Sequence, residues 1–157
     1  MKKIEITGKR NIDSLQNRNS KKKNKRLNTL EWKKIFINFD NYKQTEYLNK
    51  LYLNEEYNGI DIVKKEIKNK VSNYKNQDKI KEFDLSKVIS YEECLEKLVI
   101  SKLICFYCKK YCMLLYEEVR NPLQWTLDRL DNDIGHTNEN VVICCLGCNI
   151  KRGVMND

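Results

Sequence analysis

Cys105-Phe-Tyr-Cys108 opens the stretch that decides the fold. It continues through Trp125-Thr-Leu-Asp128-Arg129-Leu-Asp131 and Gly135-His136-Thr-Asn-Glu-Asn140, and it closes on Cys145-Leu-Gly-Cys148-Asn149-Ile-Lys-Arg152-Gly153. Two cysteines separated by two residues can grip one metal ion from a single tight turn. Two such pairs supply the four sulfurs of a closed tetrahedral site, so Cys105, Cys108, Cys145 and Cys148 are the expected ligands of a structural Zn²⁺. Cys94, Cys112 and Cys144 read instead as small buried hydrophobes. Cys144 directly precedes Cys145, which makes it the alternative fourth ligand.

Between the pairs the sequence turns sharply and often. The only proline, Pro122, the only histidine, His136, and three of the five glycines (Gly135, Gly147, Gly153) all come after Cys105. Residues 124–128 and 141–144 are short β-prone runs on either side of the polar loop 131–140, a pattern that predicts a hairpin with a long connection. The residues after Cys145 can start a helix. About 50 residues bury too little apolar area to be stable alone, and a structural zinc can add on the order of 10 kcal/mol to folding. In that frame Asp128, at the end of the first strand, and Asn149, at the start of the helix, face each other. Their hard oxygens suit Mg²⁺ better than zinc, which implies two different metals.

Upstream, the periodicity is helical. Trp32, Ile35, Phe36 and Phe39 recur at i, i+3, i+4 and i+7 behind Thr29 as a cap. Asn58-Gly59 breaks the chain, and Ile60, Val63, Ile67, Val71 and Tyr74 resume the spacing. Ser90-Tyr-Glu-Glu93 has the form of a capping box ahead of Leu95, Leu98, Val99 and Leu103, so a helix leads into the first cysteine pair. Tyr42, Tyr47, Tyr52 and Tyr57 sit at fives, which keeps to no helix face, and they read as packing residues. The region offers no constellation of chemical groups.

The net charge of +8 is confined to one end: residues 1–27 hold ten Lys or Arg against two acidic residues, and the remainder is balanced. Without aromatics, and with the run Lys21-Lys-Lys-Asn-Lys-Arg26, this tail reads as disordered and able to meet phosphates through charge alone. The chain length of 157 residues allows one ordinary domain, or a small module with extensions, and excludes a large multidomain enzyme. There is no run of about 18 apolar residues and no secretory signal, so an intracellular, cytoplasmic or nuclear, protein is expected. Seven cysteines in such a chain argue for thiols and metal ligation over disulfides. The expected organisation is α+β: a basic tail (1–28), a helical region (29–103) and a small zinc-bound module (104–157).

At the quoted residues, over about a third of its length, the chain resembles the HNH, or ββα-metal, endonucleases. The likeness is to the subtype with a Cys-x-x-Cys pair on each side of the catalytic motif, as in phage and viral enzymes. The resemblance implies DNA phosphodiester hydrolysis with Mg²⁺ or Mn²⁺. Asp128 matches the first ligand of that cation, Asn140 the residue that holds the loop, and Asn149 the second ligand. The run from Cys148 to Gly153 resembles the family's Cys-Asn-x-x-Lys-Gly, with Arg152 replacing Lys. One position departs from the pattern. The family's general base is the His after the Asp, and here that residue is Arg129, which does not deprotonate in proteins. Arg129 is expected to clamp the scissile phosphate, or else to form a surface ion pair with Asp131 or Asp133. His136 is the candidate base by its ordinary pKa, with Asp131 or a metal-bound hydroxide as alternatives. Two other functions compete: a nucleic-acid-binding protein that keeps the fold without cleavage, and a plain zinc ribbon. The plain ribbon would act as a protein-interaction or transcription module; for the other readings the expected partner is nucleic acid, DNA first, and not a membrane.

Overall fold

The computed structural model describes residues 24–26, 29–36 and 41–155. Apart from residues 24–26, the basic tail lies outside them, as do Phe39 and the side chains of Thr29 and Tyr42. The chain is mixed helix and sheet. In order it forms α1 (Thr29–Ile35), α2 (Asn41–Tyr52), α3 (Ile60–Ile80), α4 (Tyr91–Ser101), β1 (Trp125–Arg129), β2 (Val141–Cys145) and α5 (Leu146–Met155).

Each helix arises from its apolar spacing. On α3 the buried face holds Ile60, Val63 and Ile67, and it continues through half-buried Val71 and Tyr74 to fully buried Asp78. The preceding break is structural. Gly59 has φ of 96°, and a Cβ there would meet the Phe36 ring at 2.4 Å. The capping box on α4 closes in both directions, from the Glu93 N–H to Ser90 Oγ at 3.1 Å and from the Ser90 N–H to the Glu93 carboxylate at 2.8 Å. After α4, Lys102 and Leu103 both adopt positive φ (52° and 56°), and this abrupt turn delivers Cys105.

Helices α2, α3 and α4 pack against one another, and α4 also touches β2. The two strands form an antiparallel sheet in which Trp125 pairs with Cys145 and Asp128 with Val142; α5 leaves β2 without a linker and packs on both strands. One cluster of buried residues runs from Trp32 and Phe36 through Leu98 and Leu103 to Cys105, Trp125, Leu127 and Ile143. The helical region and the cysteine-bearing region therefore share a core. Among the described residues no helix is long and apolar enough to cross a membrane.

Polar groups join the layers. Residues 24–26 run against 117–119, with the Arg26 N–H bonded to Glu117 O at 2.8 Å and the Arg26 guanidinium paired with Glu66 at 2.8 Å between the Trp32 and Tyr116 rings. The end of the basic run is thus packed, because an acid and two aromatic faces receive its arginine. Lys70 reaches from α3 to Gln124 Oε1 at 3.1 Å and to the Trp125 carbonyl, and burial brings its amine down to about 7. Gln44, only 1% exposed, accepts the Leu114 and Leu115 N–H groups at 2.7 and 2.9 Å and donates to Leu115 O at 3.1 Å. Gln44→Leu keeps the volume but orphans these backbone groups, and each orphan costs about 1–3 kcal/mol. We expect a loss of about 3 kcal/mol, read by denaturant unfolding; an unchanged midpoint would show that the Gln44 hydrogen bonds are dispensable.

Of the tyrosines at fives, Tyr47 and Tyr57 pack against the core, whereas Tyr52 is 45% exposed and does not fit the packing reading. Tyr47 meets Phe36 edge-on with centroids 5.0 Å apart and stacks on Tyr57 at 5.3 Å.

Candidate metal centre and adjoining cleft

The four cysteines of the two pairs converge. The sulfurs of Cys105, Cys108, Cys145 and Cys148 all lie within 4.8 Å of one another, and those of Cys108 and Cys145 are 3.9 Å apart. Four thiolates about 2.3 Å from one zinc ion sit about 3.8 Å from each other, so the cage fits. All seven cysteines are free of disulfides. These four could hold a metal ion such as zinc.

The electrostatics point the same way. Burial alone would push the Cys105 thiol up, but N–H groups of Cys108, Cys145 and Tyr107 aimed at its sulfur bring it down to about 6. Burial raises Cys145, and burial together with the neighbouring sulfurs pushes Cys148 up to about 12. Crowded like charges resist ionising together, and a divalent cation removes that penalty. Cys144 is no alternative ligand. It alternates to the other face of β2, fully buried, with Sγ 3.3 Å from Thr126 Oγ1, and burial pushes it up to about 12. Burial raises Cys94 and Cys112 as well, which fits their reading as packing residues.

Beside this cage lies a cleft of about 540 Å³ whose lining includes Tyr74, Asp128, Arg129, His136, Asn149 and Arg152. Strand β1 presents Asp128, 8% exposed. Its Oδ2 accepts from the Tyr107 hydroxyl at 2.5 Å and from Arg152 Nη1 at 2.5 Å, and Arg152 also donates to that hydroxyl. Burial and the Asp128 carboxylate push the Tyr107 hydroxyl up to about 12. Asn149, on the first turn of α5, donates through Nδ2 to Thr126 Oγ1 at 3.1 Å and Leu127 O at 3.3 Å. The helix is thereby pinned to the strand next to Asp128, and Oδ1 is the Asn149 atom left able to ligate.

The loop between the strands is built on Asn140. Its Oδ1 accepts the Asp131 N–H at 2.9 Å, while Nδ2 donates to the carbonyls of Asp131 (2.9 Å), Gly135 (3.0 Å) and Ile134 (3.3 Å). Asp131 is taken up by the same turn, its Oδ1 accepting the Asp133 N–H at 2.9 Å, and it is exposed. Arg129 makes no ion pair with Asp131 or Asp133 among the described residues. Its guanidinium caps loop carbonyls instead, Asn132 O at 3.0 Å and Ile134 O at 3.2 Å, because the turn leaves those oxygens without backbone donors.

His136 is almost fully buried, 4% exposed. Its Nδ1 lies 2.6 Å from Asp78 Oδ1, its backbone N–H donates to Asp78 Oδ2 at 2.7 Å, and the Tyr74 ring lies 4.6 Å from its own. Burial lowers its pKa from the usual 6.5, outweighing the hydrogen bond that the ring donates to Asp78, which raises it.

Three participants escape the sequence reading. Tyr107 occupies an unconstrained position inside the first cysteine pair, where nothing marks its hydroxyl. Tyr74 reads as one more apolar stripe residue, yet its hydroxyl also accepts the Leu127 N–H at 2.9 Å. Asp78 did carry a signal, since it falls at the next position of the buried stripe on α3, where an acid needs a partner. Comparison with protein-family models, with curated proteins and with solved structures finds no match to this chain.

Proposed function

We propose that the chain is a metal-dependent endonuclease of the HNH, or ββα-metal, type that hydrolyses DNA phosphodiester bonds. The observation that carries this reading is the convergence of Asp128 from a strand, Asn149 from a helix and His136 from a loop on one cleft beside a four-cysteine cage. A plain zinc ribbon has no use for that convergence. Asp128 and Asn149 offer two hard oxygens that would hold Mg²⁺ or Mn²⁺. When bound, such an ion polarises the scissile phosphate and stabilises charge on the leaving oxygen.

The chain's own groups do the rest. His136, neutral and held by Asp78, takes a proton from the water that attacks phosphorus in line with the departing oxygen. As the new P–O bond forms, the old one breaks and the leaving oxygen takes its proton from solvent. Asn140 keeps the loop shaped so that His136 stays in reach. Arg129 and Arg152 set guanidinium charge on the cleft where phosphate charge develops.

The test is nicking of supercoiled plasmid with Mg²⁺ or Mn²⁺, abolished by removing the divalent ion. Because His136 acts as the neutral base and its pKa lies below 6.5, the rate should hold at neutral pH and fall only on acidification below that value. The contact between Arg152 and Asp128 favours a second reading, a nucleic-acid binder without cleavage, in which the guanidinium occupies the position of the cation. Arg152→Ala separates the two. In a nuclease it should lower the Mn²⁺ concentration needed for half-maximal rate, since a competing positive charge is gone. It should also slow nicking about a hundredfold, the usual loss for one transition-state donor. A binder stays inactive in both forms.

A further inference from the structure

We infer that Asp78, on the helix for which the sequence offers no chemistry, is a positioning residue of the cleft. Its two carboxylate oxygens grip the ring N–H and the main-chain N–H of His136, which fixes the imidazole as the Nδ1–H tautomer with Nε2 as the basic atom on the cleft side. The inference deepens the nuclease reading and rests on His136 being its base.

Geometry carries it. Asp78 is 0% exposed, and a carboxylate so placed requires strong donors. Both of its short contacts go to one residue, at 2.6 and 2.7 Å, and they come from opposite oxygens, so the ring can neither flip nor swing without breaking a charge-assisted bond. Gly135 makes the approach possible: a Cβ there would stand 2.7 Å from Asp78 Oδ2 and 3.2 Å from Phe83 Cβ. The loop is held from a second side, where the Ile89 N–H donates to His136 O at 2.8 Å and Val88 bridges to Thr137.

The groups that act on the ring are Asp78 and Tyr74 from α3, Lys81 just beyond it, and Arg129 from β1. Asp78 favours the protonated ring, whereas Arg129 and Lys81 disfavour it. A free imidazole prefers the Nε2–H form, which would turn a proton rather than a lone pair toward the attacking water. Selection of the other tautomer is therefore what a carboxylate at Nδ1 contributes.

His136 is the only histidine in the chain, so ¹⁵N labelling of histidine gives a single residue's signals and reads the tautomer without any assay of activity. In the wild type at neutral pH, Nδ1 should carry the proton and Nε2 should be bare. In Asp78→Asn one amide oxygen cannot serve both N–H groups, and the ring should shift toward Nε2–H. Nicking should fall about a hundredfold, the lower range for loss of a general base, with metal content unchanged. Gly135→Ala keeps both Asp78 and His136 but forces the carboxylate to shift, so it should move the tautomer in the same direction; it decides the matter if Asp78→Asn does not fold. An Nε2–H wild type, a variant that keeps Nδ1–H, or a shifted tautomer with undiminished nicking overturns the inference. A wild type that shows Nδ1–H yet nicks no DNA overturns the nuclease reading and leaves the clamp standing.

Discussion

Stripping the metal from Cys105, Cys108, Cys145 and Cys148, or replacing Cys145 with serine, is expected to unfold the strand pair and α5. Trp125 and Cys145 are register partners, so the cage and the innermost tryptophan of the sheet are adjacent. Without a cation, four sulfurs would crowd within 4.8 Å of one another, two of them on buried residues, and like charges so close resist ionising together. The binding energy of a structural zinc is folding energy of about 10–16 kcal/mol in small zinc-dependent units, comparable to the whole stability of a domain. Here the shared core softens the effect for the helices but not for the sheet. A chelator titration monitored by Trp fluorescence and far-ultraviolet circular dichroism should show the sheet lost while much of the helical signal persists. Release of one zinc per chain without any change in Trp fluorescence would show that the cage is an ornament on an already stable fold.

Asp128→Asn is expected to reduce Mg²⁺-dependent nicking by about a thousandfold. The substitution removes the one full negative charge that Asn149 cannot replace, and the electrostatic contribution of a catalytic cation is several kcal/mol, near 1.4 kcal/mol per tenfold in rate. Asparagine is preferable to alanine because its oxygen still accepts from Tyr107 and Arg152, so a buried cluster is not orphaned. Metal content, melting temperature and the histidine signal should therefore stay as in the wild type while the rate collapses. Nicking within tenfold of wild type would remove Asp128 from the site.

Much of the architecture is legible in the sequence because it obeys local rules. The capping box at Ser90, the helix start after Gly59 and the strand pair on either side of a polar loop each need only a short window of sequence. The cysteine cage is legible for a different reason: ligand chemistry is so restrictive that spacing leaves only Cys144 as an alternative to one member, and the alternation of β2 removes it. Arg129 shows where such reasoning stops. Its partners are main-chain carbonyls of a turn, which every sequence possesses and none advertises, so neither the phosphate clamp nor the ion pair with Asp131 or Asp133 anticipates them. Gln44 and Asp78 lie between these cases. Both are polar residues at positions where a buried stripe calls for an apolar one, which signals a buried partner without naming it. The partner lies 58 residues away for Asp78 and about 70 for Gln44, beyond the reach of any local pattern.

That long reach bears on how portable the cleft is. A fragment cut at residue 104 would keep Asp128, His136, Asn140, Asn149 and all four cysteines of the cage, yet it would lose Asp78 and Tyr74 behind His136, Lys70 beneath Trp125, and the apolar faces of Leu98 and Leu103. Grafted onto another protein, it would carry the recognisable letters of the motif without the wall they lean on. The helices are thus not a handle attached to a self-sufficient cassette, and any exchange of this unit between proteins must take them along.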